Sequence, residues 1–205
     1  MSINRNMTQK ELDTEQKIKE AASKLFTKKG YAATKTRDIA EEAGINLSLL
    51  NYYFRSKEKL FNIIMGEKIR QFFGIVVPVI TDESLTLEVK TNLFVEKYIE
   101  TLTENPDLPL FVLHEIRNNP KHFVEEIGAN KILMNSSLIE QIKAKKPGIN
   151  PLHFIMNLMG MSVFPFLSKP VFMAAEAVDE DSFLELMHER RRLIPIWMNA
   201  ILGQD

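Results

Sequence analysis

Cysteine is absent from the 205-residue chain. Disulfides, thiolate metal sites and a cysteine nucleophile are thereby excluded, and the composition fits a reducing, cytoplasmic compartment. Long apolar runs are absent too. The longest candidate, IVVPVI at 75–80, falls well short of the roughly 18 residues a membrane span needs and contains Pro78. The opening MSINRNMTQKELD has no apolar core of the kind a secretory signal requires, so no membrane partner is expected. Alternating β-branched runs bounded by Asn-Gly or Asp-Gly are missing, so no sheet is expected. Gly-x-Ser-x-Gly, P-loop, Gly-x-Gly-x-x-Gly and His-Glu-x-x-His motifs are missing as well. His114, His122, His153 and His188 are scattered without metal-ligand spacing. In the adjacent pairs His114-Glu115 and His188-Glu189 the two side chains point to different helix faces. The expectation is a protein that is not an enzyme and needs no cofactor or metal.

A net charge of −1 hides an asymmetry. Residues 1–73 carry 14 Lys and Arg against 9 Asp and Glu, whereas residues 74–205 carry 12 against 18. A basic first third joined to an acidic remainder suggests two parts with different partners, a polyanion being the natural partner of the first.

Nearly the whole chain has the apolar spacing of helices. Ile18, Ala21, Ala22, Leu25 and Phe26 form one stripe on a first helix over about 14–29, with Asp13 or Thr14 as cap and Gly30 as a left-handed stop. The segment TRDIAEEA at 36–43 gives a short second helix ended by Gly44. Asn46 can cap a third, LSLLNYYF at 47–54. A single residue between stop and cap forces a steep crossing, the helix-turn-helix arrangement. On the third helix Leu50 and Phe54 share the inward face. Ser48, Asn51, Tyr52 and Arg55 share the opposite one, flanked by Leu49 and Tyr53. Hydroxyls, an amide and aromatic rings on an exposed face can bond phosphates and touch base edges. Lys35, Arg37 and Lys57 lie beside it, and Ser56 can cap a fourth helix whose start is a ready phosphate site.

The segment GYAATKTRDIAEEAGINLSLLNYYFRSKEKLF, residues 30–61, resembles the DNA-binding domain of the tetracycline-repressor (TetR) family. The match covers about residues 12–62, through the Gly-Tyr ending of helix one, the Arg-Asp-Ile-Ala of helix two, the Ala-Gly turn and the Tyr-Tyr-Phe-x-x-Lys-x-x-Leu that follows. The resemblance implies that Thr36 and Arg37 open helix two near the DNA backbone. It implies that Leu47, Ser48, Leu49 and Tyr52 face the groove, and that Asn51, Tyr53 and Lys57 lie near phosphates. Asn51 stands where the family usually has tyrosine, and Leu47 where it often has a small or basic residue, so the operator sequence does not carry over from relatives.

The fold expected is all-α: a helix-turn-helix domain over residues 1–60, then a larger ligand-binding and dimerisation domain over 61–205. The fourth helix should stop near Pro78. Others are expected at about 84–104, 108–118, 120–127 and 130–145, then from Pro151 and from about Asp181, with Pro195 kinking or restarting the last. The segment from Pro151 is apolar almost all round and is expected to be buried. In helix pattern this half resembles TetR-family regulatory domains, which implies a homodimer with the last two long helices in a four-helix bundle. The interface residues expected are Phe154, Leu158, Phe183, Met187, Ile194 and Trp197. An apolar or amphipathic effector is expected among Phe94, Tyr98, Phe111, His114 and Met156, with Met134, Glu115 and Arg117 nearby, though the same residues equally suit a solid core. The function expected is a homodimeric repressor bound to an inverted-repeat operator in double-stranded DNA and released by that effector. A regulator without a small-molecule ligand and a helical carrier of an apolar molecule are the alternatives.

Overall fold

The structure, a computed structural model, describes residues 9–128 and 136–203. Among the described residues there are ten α-helices and no strand: α1 (Gln9–Ala33), α2 (Thr36–Glu42), α3 (Leu47–Phe54), α4 (Lys57–Thr81), α5 (Leu87–Glu104), α6 (Leu108–Asn118), α7 (Pro120–Ile127), α8 (Ser137–Lys145), α9 (Pro151–Ala174) and α10 (Glu180–Gly203). The chain divides into two compact units, the first ending at Lys68 and the second beginning at Ile69.

In the smaller unit, α1 is longer than its apolar stripe requires. It is already helical at Gln9, so neither Asp13 nor Thr14 is its cap. Its stripe is buried as expected, with Ile18 and Ala22 fully enclosed and Phe26 nearly so. Gly30, at φ 75° and ψ 163°, breaks the helix in a region that side chains with a Cβ scarcely enter. The break is held from two sides. The Thr34 hydroxyl donates to the Gly30 and Leu25 carbonyls at 2.8 and 3.3 Å. The Lys57 ammonium, from the first turn of α4, donates to the Tyr31 and Thr34 carbonyls at 2.8 and 2.9 Å and lies 4.2 Å from the Tyr31 ring centroid. Phe61 packs edge-on against Phe26 at 5.2 Å and tilted against Tyr31 at 4.6 Å, so the start of α4 is fixed to the end of α1.

Between these anchors sit α2 and α3. Gly44, at φ 66°, closes α2, with the Gly44 and Ile45 amides donating to the Glu41 and Ala40 carbonyls. The Asn46 side chain accepts from the Leu49 amide at 2.8 Å and opens α3. Leu50 and Phe54 point inward, 0% and 2% exposed. Past Phe54 the Ser56 amide bonds the Phe54 carbonyl at 2.7 Å, which puts Arg55 at φ 62°, ψ −39°, the centre of a strained γ-turn. Ser56 then caps α4 through the Lys59 amide, as its position in the sequence suggests.

The larger unit is built around α5, which packs on α8, α9 and α10 and buries Phe94, Val95, Tyr98, Ile99 and Leu102. Its cap is Thr86, so it begins at Leu87 and not near 84. α4 does not stop at Pro78 but runs to Thr81, whose hydroxyl bonds the Val77 carbonyl at 2.9 Å. α6 and α7 lie where expected, although the Asp107 side chain makes no capping bond at the start of α6. α8 occupies 137–145, and residues 129–135, with Met134, lie outside the described residues. Asn150 caps α9 through the Leu152 amide at 3.0 Å, with Pro151 in the first turn. α10 continues as one helix through Pro195.

The expected burial of α9 is corrected by the structure. Among its side chains Phe154, Leu158, Ser162 and Pro165 are buried, while Met156, Phe164 and Val171 are 58%, 62% and 66% exposed. By length and hydropathy it could cross a bilayer, and most of its side chains are not buried. The helix is apolar on nearly every side, but the chain's own core is too small to cover them all.

Lys57→Met keeps the aliphatic stem over Tyr31 and deletes both carbonyl bonds. It should lower the stability of the first unit by about 1–3 kcal/mol, the worth of charge-assisted bonds discounted for partial exposure. Gly30→Ala, which adds a Cβ at φ 75°, should cost about 1–3 kcal/mol. Hydrogen exchange of α1 and α3 amides measures both, and unchanged protection in Lys57→Met would remove the anchoring role.

Candidate functional site

One face of the first unit combines the features read from the sequence. Ser48, Asn51 and Tyr52 are exposed on α3, Tyr52 at 56%, while Leu47, Leu49 and Tyr53 are half-buried along its flanks. Tyr52 and Tyr53 meet edge to face at 5.4 Å and 88°. Each ring thus limits the other's rotamers without burying the outer one, so the face presents a held aromatic surface. Lys35 occupies the cap position of α2 in extended conformation, Thr36 is its first helical residue, and Arg37 follows, exposed.

The ion pairs sort the basic residues of this unit. Lys24 and Lys29 of α1 reach Glu42 and Asp38 of α2 at 2.5 and 3.2 Å, and Lys19 reaches Glu67 of α4 at 2.9 Å. The Lys29 ammonium beside Asp38 and the Lys24 ammonium beside Glu42 hold those carboxyls below their ordinary range. Such exposed pairs add little stability, but they compensate three lysines of α1, Lys19, Lys24 and Lys29. Lys35, Arg37, Arg55 and Lys59 are exposed and make no ion pair among the described residues. Besides Lys17 and Lys28 of α1, unpaired positive charge thus lies around the helix-turn-helix, where phosphates could neutralise it. Lys57 differs from them. Two of its three N–H groups are committed to the carbonyls of Tyr31 and Thr34, which makes it first a device that aims α3 and α4.

The second unit contains a cavity of about 210 Å³. Two of the five residues expected at an effector site line it, Phe94 and Tyr98. Three do not. Phe111 is half-buried away from the lining. His114 is exposed, its Nδ1 3.1 Å from the Asn118 amide, and Met156 lies on the uncovered side of α9. Glu115, which accepts from Asn119, and exposed Arg117 are not in the lining either. The wall comes instead from α4, α5 and α6 with contributions from α7 to α9. It includes Phe72, Phe73, Thr91, Pro109, Leu138 and Lys90, none of which sequence reasoning picks out. Phe72 meets Tyr98 edge-on at 5.2 Å, and Phe94 stacks on Tyr98 at the same distance. The signal that could have found Lys90 is its place within the apolar stripe of α5, one turn before Phe94.

The expected interface residues also need correction. Phe154, Leu158, Phe183, Met187 and Ile194 are 6% exposed or less within a single chain, so a second subunit could take almost no further area from them. They lie on the inward faces of α9 and α10, where these helices pack on each other and on α5. Trp197, 36% exposed with the Arg190 guanidinium 5.3 Å from its ring centroid, is on the uncovered side.

Residues 18–64 match the family described as bacterial regulatory proteins, tetR family. The chain is 24% identical over 208 residues to the "Probable HTH-type transcriptional regulator YttP" of Bacillus subtilis, covering 93% of this chain and 94% of that one. It is 29% identical over 110 residues to the HTH-type transcriptional repressor KstR2 of Mycolicibacterium smegmatis, covering 47% and 54% of the two. Its fold is similar to that of a TetR/AcrR-family transcriptional regulator from Thermobifida fusca, at 19% identity and TM-score 0.60 over 89% of this chain and 97% of that one. A similar likeness, at 19% identity and TM-score 0.56 over 87% and 96%, is to the transcriptional regulator FadR of Bacillus subtilis, whose structure contains stearoyl-CoA. With a helix-turn-helix whose outer face is polar and aromatic and is flanked by unpaired basic residues, residues 18–64 form a DNA-binding domain of the tetR family of bacterial regulatory proteins.

Proposed function

We propose that the protein is a cytoplasmic homodimeric repressor that leaves an inverted-repeat operator when a small apolar or amphipathic effector enters the second unit. The observation that carries this reading is the cavity of about 210 Å³ walled by aromatic and aliphatic side chains. It is larger than the roughly 150 Å³ cavity that holds a benzene, and close-packed protein interiors have few voids of that size. The FadR structure supports the reading, since a protein of similar fold is in complex with stearoyl-CoA, a molecule with a long apolar chain. So does the description of KstR2 as a repressor. An effector acts here only through different affinities for the DNA-competent and DNA-incompetent states.

The homodimer rests on the uncovered apolar side of the last two helices. Met156, Phe164 and Val171 on α9, with Leu184, Ile196 and Trp197 on α10, expose a set of large apolar side chains of the kind monomers rarely leave in water. These replace the inward residues expected from the sequence as the interface set. A two-fold dimer also suits half-sites whose centres lie about 34–36 Å, or a multiple, apart.

Selection of bound DNA from a random pool should return an inverted repeat with that spacing, and selected sites without dyad symmetry would sink the dimeric reading. Within the DNA face, Arg37→Ala should weaken binding to all sequences and flatten the salt dependence by about 0.9 for each phosphate that a protomer no longer neutralises. Ser48→Ala should change which bases are preferred. The opposite pattern would reverse the two roles. Ile196→Asp puts a charge on the uncovered side at a residue 54% exposed in the single chain. The protomer should stay folded, light scattering should report a monomer, and operator affinity should fall at least tenfold. A well-folded dimer with full affinity would remove this face from the interface.

A further inference from the structure

Four polar side chains line the cavity: Lys90, Thr91, Tyr98 and Thr101. The two threonine hydroxyls are used within α5, donating to the Leu87 and Lys97 carbonyls at 2.7 and 2.8 Å. Lys90 is different. It is 1% exposed, and among the described residues its ammonium has one hydrogen-bond partner, the Ser137 hydroxyl at 2.6 Å. That hydroxyl in turn lies 3.2 and 3.3 Å from the Ile80 and Asp82 carbonyls, so its own proton is directed there. No carboxylate of the described residues lies within ion-pair distance of Lys90. Burial pulls its pKa below the ordinary lysine range, with Asp82 and Glu83 opposing from further away, while Asp82 is engaged by the Ser84 amide and hydroxyl at 2.8 and 2.6 Å.

A lysine almost never sits fully buried without a counter-charge, because water that solvated the ammonium must be replaced. Here the lysine lines a cavity whose other walls are mostly hydrocarbon and aromatic, the two threonine hydroxyls being used within α5. Two of its N–H groups lack an acceptor among the described residues. What the site lacks is an anionic acceptor joined to an apolar body. Eight residues further along α5, about 12 Å at the helical rise, Tyr98 also faces the cavity. It is 8% exposed, and no described group accepts from its hydroxyl.

Resting on the reading of the cavity as the effector site, we propose that the effector is a medium-length amphiphile with a carboxylate head. The head receives hydrogen bonds from the Lys90 ammonium, and the chain runs past Phe94 towards Tyr98. The apo protein then holds a buried cation that its ligand neutralises, a direct source of differential affinity between liganded and unliganded states.

The test uses the full chain with decanoate, 1-decanol and decanoyl-CoA as probes in titration calorimetry. Decanoate should bind the unaltered protein more tightly than decanol. Lys90→Met should weaken decanoate at least tenfold, leave decanol equal or tighter, and raise the melting temperature of the apo protein, since an unpaired buried charge is removed. Lys90→Gln provides the same comparison should the methionine variant fail to fold. Equal loss of decanoate and decanol with a lowered melting temperature would make Lys90 a structural tie to Ser137 and overturn the proposal. Decanol or decanoyl-CoA binding where decanoate does not would keep the cavity as effector site and overturn the carboxylate. Failure of all three probes would overturn the proposal and count against the effector reading itself.

Discussion

The Lys57 ammonium lies where the first helix stops and donates to the Tyr31 and Thr34 carbonyls, just past the break at Gly30. The orientation of α3 depends on this contact. α3 is eight residues long, too short to hold itself by helix propensity. Its inward residues, Leu50 and Phe54, need walls at fixed positions to pack against. α1 and α4 provide them only if the end of one and the start of the other are pinned together. A single charged group does this with directional bonds, beside the Phe26–Tyr31–Phe61 ring cluster. The γ-turn at Arg55 is the cost of this closure, a non-glycine residue held at positive φ because helices on both sides of it are fixed.

The same logic runs in reverse in the larger unit. There the cation, Lys90, is buried more deeply than Lys57 but has fewer partners. The two lysines differ in their neighbours and not in their own chemistry. One meets the dipoles at a helix end, the other a serine hydroxyl and an apolar void. A fully satisfied cation stabilises a fold, and an incompletely satisfied one leaves a site open to a ligand.

α5 connects these features. It is the helix on which α8, α9 and α10 pack, and it places Lys90, Phe94 and Tyr98 along the cavity. Its two outer neighbours, α9 and α10, turn their other sides outward uncovered. The larger unit thus has its core on one side of those helices and a large apolar surface on the other, a division no single helix's amphipathicity would predict.

The sequence by itself determined the all-helical class, the helix-turn-helix and the limits of α2 and α3. These depend on local chemistry: Gly44 supplying a left-handed stop, Asn46 a cap, and Leu50 and Phe54 an inward pair four residues apart. It also determined the polar and aromatic outer face of α3, because with Leu50 and Phe54 committed inward, Ser48, Asn51 and Tyr52 can only point out. Tertiary structure decided everything that rests on distance between separate helices. It committed Lys57 to carbonyls more than twenty residues away, put His114 and Met156 outside the cavity, and brought Lys90 into it. It turned Phe154, Leu158, Phe183, Met187 and Ile194 inward and left Met156, Phe164 and Ile196 in the open. A helix that is apolar nearly all round carries no signal for which side meets its own chain and which is left uncovered, since every side satisfies the same pattern. Only the packing of the other helices chooses between them.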